Sequence, residues 1–134
     1  MQIPGVSLYK TDLFRGFKIC VKRSFLHRWG VFALVDIKQY ELLEETPYFL
    51  VPKEEANAAP SCSVYTYGFC DENLLIGTGC ACLYNHSYEP NAAYELDAVN
   101  QSIRHYALKD IEEGSEITIN YGEDNAKSFL EKKA

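Results

Sequence analysis

The stretch LYNHSYEPN, residues 83–91, raises the question on which the interpretation of this chain depends. An apolar run leads directly into Asn85 and His86. Their side chains each carry two strong hydrogen-bonding groups, which are costly to bury without partners. Pro90 and Asn91 then indicate a tight turn. The Asn-His pair therefore needs polar partners, supplied either by the protein itself or by a ligand.

Length and composition limit the classes of protein to which the chain can belong. Its 134 residues, 47% of them hydrophobic, suit one domain spanning 1–134. The N-terminus shows no basic segment followed by a long apolar run, and no window approaches the roughly 18 apolar residues of a membrane span. We therefore expect a soluble intracellular protein, cytoplasmic or nuclear. The formal net charge of -6 argues against general nucleic-acid binding and favours a basic partner.

The dominant hydrophobic period is two, which is typical of β-strands. It is clearest in FKICVKR at 17–23 and ITINY at 117–121. The residues expected on half-buried faces are Phe17, Ile19 and Val21 in the first stretch and Ile117, Ile119 and Tyr121 in the second. Further strand candidates, separated by Gly, Pro, Asn and Asp, are 31–35, 41–51, 63–69, 92–98 and 103–108.

Helix-favouring segments are few. One short helix is predicted near 53–59, and another in DNAKSFLEKK at 124–133, where Asp124 or Asn125 would be the N-cap. The pattern as a whole therefore predicts a mostly β chain with little helix.

One internal echo organises the strand pattern. ALVDIKQYELLEE at 33–45 resembles ALKDIEEGSEIT at 107–118, with Ala-Leu and Asp-Ile in register. Each copy is typical of a strand, a turn and a second strand. Two distant copies are too few for a solenoid, which needs at least about three stacked units. We therefore expect two similar corners in one β fold.

The cysteines favour reduced, buried thiols, because their number is odd and no secretion signal is present. They are Cys20, Cys62, Cys70, Cys80 and Cys82. A zinc-binding interaction module using Cys80, Cys82 and His86 remains a weaker alternative, since the spacing matches structural zinc sites poorly. We predict no metal site.

Three segments together resemble a known family. They are WGVFAL at 29–34, GCACLYNHSYEPNAAYE at 79–95 and ALKDIEEGSEITINYGED at 107–124. In this order they resemble the signature segments of SET-domain protein lysine methyltransferases. NHS-x-x-PN followed by G-x-E-I-T-x-x-YG is a specific pairing, and the length resembles that of the minimal viral and bacterial members, which lack flanking cysteine-rich modules.

The resemblance implies a fold of several small β-sheets with a C-terminal segment threaded under a loop, a pseudoknot of the kind that is rare among proteins. The threading would bring Asn85, His86 and Tyr121 together. It also implies S-adenosylmethionine as the cofactor and S-adenosylhomocysteine as its product. Asn85 and His86 would meet the adenine end of the cofactor, largely through backbone groups. For the Asn85 side chain, purely structural bracing is an equal alternative.

The second cofactor contact implied by the resemblance lies in LHRWGVF at 26–32. The family usually carries G-x-G here, because glycine lets the backbone pass close to the cofactor. This chain has Arg28-Trp29-Gly30, so an arginine replaces the first glycine. Trp29 would contact the sulfonium through its ring, unless it is a core aromatic. Arg28 would pair with the cofactor carboxylate, unless it is a solvated turn residue.

Tyr121 is the predicted catalytic residue, because it matches the family tyrosine near the point where the methyl group leaves sulfur. The implied reaction is an in-line displacement, in which the neutral ε-amine of a substrate lysine attacks the methyl carbon. This chemistry requires no strong general base. The alternative is a core tyrosine with a bonded hydroxyl group.

The walls of the substrate-lysine channel are predicted from aromatic residues. Tyr94 is the first candidate, because some family members carry a channel tyrosine at the matching place, and Tyr65 and Tyr67 correspond loosely to a Y-x-F segment. Minimal relatives often close the channel with C-terminal aromatics, of which only Phe129 is present. We expect closure by Phe129, by a second subunit in a homodimer, or by the substrate.

The leading hypothesis is thus an S-adenosylmethionine-dependent protein lysine N-methyltransferase. Its partner would be a basic protein or peptide such as a histone tail, with no direct binding to nucleic acid and no membrane. The alternative is a catalytically inactive SET-like protein-interaction domain. It is suggested by Arg28 and by the scarcity of aromatics after Tyr121.

Overall fold

The computed structural model describes residues 10, 12–13, 16–52, 54–55, 69–70 and 73–122. The predicted C-terminal helix at 124–133 lies outside these residues. The predicted helix near 53–59 is described only at Glu54 and Glu55, which are helical. No helix in the described part of the chain has the length and apolar character needed to cross a membrane.

The described residues form nine strands. They are β1 (Ile19–Arg23), β2 (Trp29–Ala33), β3 (Leu42–Pro52), β4 (Phe69–Cys70), β5 (Asn73–Gly77), β6 (Asn85–His86), β7 (Ala92–Asp97), β8 (Ser102–Ala107) and β9 (Glu116–Ile119). A four-stranded sheet has the order β1-β2-β9-β6, and a five-stranded sheet has the order β4-β5-β3-β8-β7. The prediction of a mostly β fold with small sheets is confirmed.

Two details of the strand prediction were wrong. Phe17 and Val21 were expected on a half-buried face, but they are 79% and 41% exposed. In the described residues β1 is an edge strand that pairs with β2, and on it Ile19 packs against the core. Strand β5 was not predicted, because its apolar run at 74–76 does not alternate as a half-buried strand should.

The two corners expected from the internal echo are present, and they pair with each other. The first joins β2 to β3 and the second joins β8 to β9. Ile37 and Ile111 exchange backbone N–H···O bonds of 2.8 Å in both directions. Tyr40 donates its N–H to the carbonyl of Ala107, and Gly114 correspondingly donates to that of Ala33, each at 2.8 Å. The corners are therefore related by an approximate two-fold axis.

Two aspartates complete the contact between the corners. Asp36 Oδ1 accepts a bond of 2.9 Å from the backbone N–H of Glu113 in the second corner. Asp110 Oδ1 accepts one of 2.8 Å from the backbone N–H of Gln39 in the first corner. These aspartates align in the echo, so each performs the same task for its partner.

The core lies where these corners, β2 and β9 pack against the segment before β6. Its buried members are Val31, Ala33, Ile37, Leu43, Tyr84, Ala92, Ala107, Ile111, Ile117 and Ile119. The predicted inward face of Ile117 and Ile119 is confirmed, since both are at most 1% exposed. β9 lies between antiparallel β2 and parallel β6. This pairing brings the start of β2, the Asn85–His86 pair of β6 and the end of β9 close together.

Candidate active site

The parallel pairing of β6 with β9 brings together the three residues that the sequence predicted to meet. Asn85 is in register with Thr118, and His86 with Ile119. The backbone N–H of Tyr121 donates to His86 Nδ1 at 3.1 Å, and the two ring centroids are 5.1 Å apart. His86 thus contacts the chain at the residue proposed for catalysis.

The hydroxyl group of Tyr121 is held by the main chain. It donates to the carbonyl oxygen of Tyr84 at 2.5 Å. Burial raises the pKa of the Tyr121 phenol well above its ordinary value, and the negative charge of Glu116 acts in the same direction. The phenol is therefore neutral at physiological pH. Two oxygen atoms, the Tyr121 hydroxyl and the Tyr84 carbonyl, converge at this point.

The side chain of Tyr84 is itself held in place by buried neighbours. Its side chain is 2% exposed, and its ring stacks on that of His105 with centroids 4.2 Å apart. Its hydroxyl donates to Glu44 Oε1 at 3.1 Å. Burial raises the pKa of Glu44, while the hydrogen bonds from the Cys80 backbone and from Tyr84 act against this rise. These contacts hold the segment whose carbonyl accepts from Tyr121.

The Asn85 side chain makes its polar contacts inside the protein. Its Nδ2 lies 2.7 Å from Glu116 Oε2 and 3.1 Å from the carbonyl oxygen of Trp29. The Ser24 hydroxyl is also close, at 3.2 Å. An amide nitrogen has two hydrogens to donate, and these acceptors suffice for both. The bracing role that the sequence left open for this side chain is therefore present.

Asn91 of the NHS-x-x-PN motif holds β9 through its side-chain amide. Its Nδ2 donates to the backbone carbonyl of Glu116 at 2.9 Å, and its Oδ1 accepts from the backbone N–H of Thr118 at 2.8 Å. The sequence indicated only a turn at Asn91. Its role depends on a strand that lies far away in the chain.

The turn between β1 and β2, together with the start of β2, carries the residues that the sequence predicted to contact the cofactor. Arg28 is exposed and has a φ of 27°, in the region that favours glycine. The backbone thus keeps the conformation that suits the glycine found here in the resembling family, although the side chain differs. Trp29 is 47% exposed, which rules out a core aromatic, and the Arg23 guanidinium lies 4.4 Å from its ring.

Gly30 has an internal reason to be glycine. A Cβ at this position would overlap Oε2 of Glu116 and would lie 3.0 Å from Nδ2 of Asn85. The sequence interpretation explained this glycine by close approach to the cofactor. The structure shows that its missing side chain leaves room for the Glu116 carboxylate.

The predicted channel residues are only partly described. Tyr94 lies on β7, packs against the core and has its ring centroid 5.9 Å from that of His105. Burial raises the pKa of its phenol. Its place in a lysine channel stays a prediction. Tyr65, Tyr67 and Phe129 lie outside the described residues.

The free thiols of Cys20, Cys80 and Cys82 are half-buried. Burial, together with the charge of Glu44, raises the pKa of Cys80 to about 11, so its thiol stays protonated. No cluster of at least three His, Cys, Asp or Glu side chains suited to a metal occurs within the described ranges.

Sequence reasoning missed Ser24, Tyr84 and Glu116 as members of this site. Glu116 stands inside the G-x-E-I-T motif, and a carboxylate at the start of an apolar strand was the available signal. Ser24 and Tyr84 gave no comparable signal, because their partners are distant in the chain.

The SET domain family model matches residues 28–122, which include the turn at Arg28, the Asn85–His86 pair and Tyr121. This chain belongs to the SET-domain family. A relative from Schizosaccharomyces pombe is 32% identical to this chain over 97 residues, which cover 70% of this chain and 66% of the relative. That relative is named as a histone-lysine N-methyltransferase specific for H3 lysine-37.

Two further comparisons agree with this membership. A histone-lysine N-methyltransferase from Emericella nidulans, named as specific for H3 lysine-4, is 33% identical over 111 residues, covering 74% of this chain. Because the match covers only 9% of that relative, this SET domain corresponds to a small part of it. The crystal structure of a candidate histone methyltransferase from Plasmodium falciparum is 33% identical with a TM-score of 0.72, covering 81% of this chain and 96% of that one.

Proposed function

We propose that this protein is an S-adenosylmethionine-dependent protein lysine N-methyltransferase that acts on a lysine in a basic, flexible segment such as a histone tail. The observation that carries the proposal is the convergence of the Tyr121 hydroxyl and the Tyr84 carbonyl beside the Asn85–His86 pair. The names of the relatives support the same reaction and the same substrate class. Such a substrate would place the activity in the nucleus or the cytoplasm.

The described residues fit the cofactor in two respects. Because His86 Nδ1 accepts from Tyr121, the ring hydrogen of neutral His86 lies on Nε2, which is buried and has no hydrogen-bond partner among the described residues. A buried donor of this kind suits a ring nitrogen or another acceptor of an adenine-containing ligand. The half-exposed Trp29 ring already attracts the Arg23 guanidinium, at 4.4 Å, so it is of the kind that attracts a cationic sulfonium. When bound, S-adenosylmethionine supplies a methyl group on positively charged sulfur.

The protein's part in the reaction is positioning. The Tyr121 hydroxyl donates its hydrogen to the Tyr84 carbonyl, which leaves the phenol oxygen to accept weak C–H···O contacts. Because burial keeps this phenol neutral, Tyr121 does not act as a base. Orienting the reactants replaces much of the entropic cost of bringing them together.

The substrate lysine has to lose its proton before it can attack. A free lysine has a pKa near 10.4, so holding it neutral at pH 7 costs about 4 to 5 kcal/mol. A narrow apolar channel lowers this pKa by disfavouring the charged form. Tyr94, which is half buried on β7, is the described candidate for a channel wall. Tyr65, Tyr67 and Phe129 are the candidates outside the described residues.

The alternative is an interaction domain without catalysis, for which Arg28 is the reason. Arg28 has a φ of 27°, in the region that favours glycine, so this position has the type of backbone conformation that a glycine would suit. This favours the enzyme. Calorimetry with S-adenosylhomocysteine, combined with a labelled-methyl assay on histones and a lysine peptide array, separates the two functions. We expect binding without added metal and transfer to a basic peptide.

Three results would count against the proposal. Absence of binding heat at millimolar cofactor would exclude the cofactor assignment. Normal binding without transfer to any histone or array peptide would establish the interaction domain instead. Stoichiometric zinc in the purified protein would point to the metal-binding alternative.

Tyr121→Phe tests the catalytic assignment directly. We expect methyl transfer to fall by about 100-fold, because misplaced reactants lose about that much rate. Cofactor affinity and the free energy of unfolding should change little, since the ring remains. Tyr40→Phe, at a residue that is 71% exposed, is the matched control. Near-normal turnover by folded Tyr121→Phe protein would remove Tyr121 from the mechanism.

A further inference from the structure

Both oxygens of the Glu116 carboxylate are engaged by the two halves of the site. Oε1 accepts from the Ser24 hydroxyl at 2.7 Å. Oε2 accepts from Asn85 Nδ2, also at 2.7 Å. Ser24 lies in the turn that contains Arg28 and leads into Trp29 of β2, whereas Asn85 belongs to β6. A single half-buried carboxylate therefore joins segments that are distant in the chain.

The Ser24 end of this connection shapes the turn itself. Ser24 Oγ accepts from the backbone N–H of Leu26 at 2.9 Å and lies 3.4 Å from that of His27. The backbone N–H of Ser24 donates to the Arg28 carbonyl at 2.9 Å. The hydroxyl gives its own hydrogen to Glu116, so its lone pairs remain available for these amides. Removing the carboxylate would leave the hydroxyl free to rotate.

Glu116, at the other end of this connection, is also fixed by its neighbours. Asn91 fixes the main chain of β9 at Glu116, and Gly30 leaves the space that the carboxylate occupies. Tyr121 belongs to the same segment, and its pKa responds to the charge of Glu116. Glu116 therefore lies between the turn on one side and the proposed catalytic tyrosine on the other.

We propose that Glu116 is a positioning residue for methyl transfer, whose carboxylate ties the β1–β2 turn to β6 and β9 and so holds the two halves of the cofactor site in one arrangement. The inference rests on the proposed function. A charged acceptor strengthens this connection, because hydrogen bonds to a carboxylate are roughly twice as strong as neutral ones. Glutamine would also turn an amide nitrogen toward Ser24 or Asn85.

Glu116→Gln is the first test, with Glu112→Gln at an exposed position of the second corner as its control. We expect the calorimetric dissociation constant of S-adenosylhomocysteine to rise about tenfold in Glu116→Gln, the equivalent of one lost charge-assisted bond. KM for the cofactor should rise in parallel, while KM for the peptide stays near its original value. A general loss of structure would instead raise both.

Variants of Ser24 supply the second test. Ser24→Ala should match Glu116→Gln, and Ser24→Thr, which keeps the hydroxyl, should retain the original affinity. If both residues act through one connection, the double variant Ser24→Ala/Glu116→Gln should lose little more than either single variant. Fully additive losses would show that they act separately, which would overturn the proposal.

Amide hydrogen exchange gives a measurement that needs no cofactor. In Glu116→Gln the amides of Leu26 and His27 should exchange faster, while those of the paired strands β3 and β8 keep their protection. Cofactor affinity in Glu116→Gln equal to that of Glu112→Gln, in a wild-type protein that binds, would overturn only this inference. A wild-type protein that binds no cofactor would overturn the proposed function together with it.

Discussion

The two corners of this fold have nearly the same backbone contacts but lead to different chemistry. Each makes the same bonds to the other, through Ile37 and Ile111 and through the paired aspartates. After the first corner, β3 enters the five-stranded sheet. After the second, β9 enters the site between β2 and β6. The corners therefore share one backbone framework and differ in where the following strand leads. Of β3 and β9, it is β9 that enters the candidate site.

The matching positions after the corners make this difference concrete. Where β3 begins with Leu42, β9 begins with Glu116. The leucine lies in the five-stranded sheet, whereas the glutamate binds Ser24 and Asn85. The same corner geometry is therefore compatible with different residues on the strand that follows it. Of these two strands, β9 is the one whose first residue binds Ser24 and Asn85.

The strands entering the corners differ in the same way, and this difference predicts a pH effect. Val31 on β2 corresponds to His105 on β8, and both are fully buried. Burial lowers the pKa of His105 from 6.5 to about 3. Because the unfolded chain binds the proton more tightly, the stability contribution is complete above pH 6.5 and is lost as the pH falls toward 3.

His105→Phe tests this, because it keeps an aromatic ring against Tyr84 and removes the titrating group. His105 alone should lower the free energy of unfolding by up to about 1.4 kcal/mol per pH unit below pH 6.5. The variant should show a smaller slope in urea titrations between pH 6.5 and about pH 5.5. His86, whose pKa burial also lowers, keeps part of the slope. Parallel slopes for the two proteins would contradict the assignment.

The shared frame itself predicts a smaller and symmetrical effect. Asp36→Ala and Asp110→Ala each remove one acceptor from a backbone N–H of the opposite corner. Each should lower the free energy of unfolding by about 1 kcal/mol. The two losses should be similar if the corners are equivalent, and Asp→Asn at either position should recover most of the loss because its oxygen still accepts. A loss at only one corner would show that the two corners share a backbone geometry but do not contribute equally to the free energy of unfolding.

The sequence predicted the frame better than the site. Alternation identified β9 and the echo identified both corners, because these depend on neighbouring residues and short turns. The NHS-x-x-PN motif placed Asn85 and His86 beside Tyr121 through a family resemblance. The contacts of Glu116 with Ser24 and Asn85 join residues separated by many positions, so no local pattern reveals them.

Failures of the strand prediction have related causes. Val21 alternates correctly with Ile19 but lies 41% exposed, because alternation cannot tell an edge strand from a covered one. The apolar run of β5 lacked alternation, as buried strands often do. The sequence assigned Gly30 to the cofactor, and that assignment stays a prediction. The space that Gly30 leaves for the Glu116 carboxylate could be recognised only in the fold.

The smallest predicted effect concerns charge at the corner tips, where the copies also differ. The first corner has Lys38 and Gln39 at the positions where the second has Glu112 and Glu113, and all four are exposed. The double variant Glu112→Lys/Glu113→Gln gives the second corner the residues of the first. If the net charge of -6 steers a basic tail toward the site, this variant should methylate a basic peptide more slowly than the wild-type protein at low salt. The expected decrease in rate is about threefold at most.

The effect should disappear at moderate salt, because exposed charges are screened within about 10 Å at roughly 0.1 M. The measurement compares initial rates for a basic tail peptide and an acidic-flanked lysine peptide of equal length, each at low and moderate salt, with the wild-type protein and the double variant. Steering predicts that salt slows only the basic peptide and that the variant slows it less. Equal rates for both peptides, unaffected by salt, would contradict steering by the acidic second corner, without bearing on the role proposed for Tyr121.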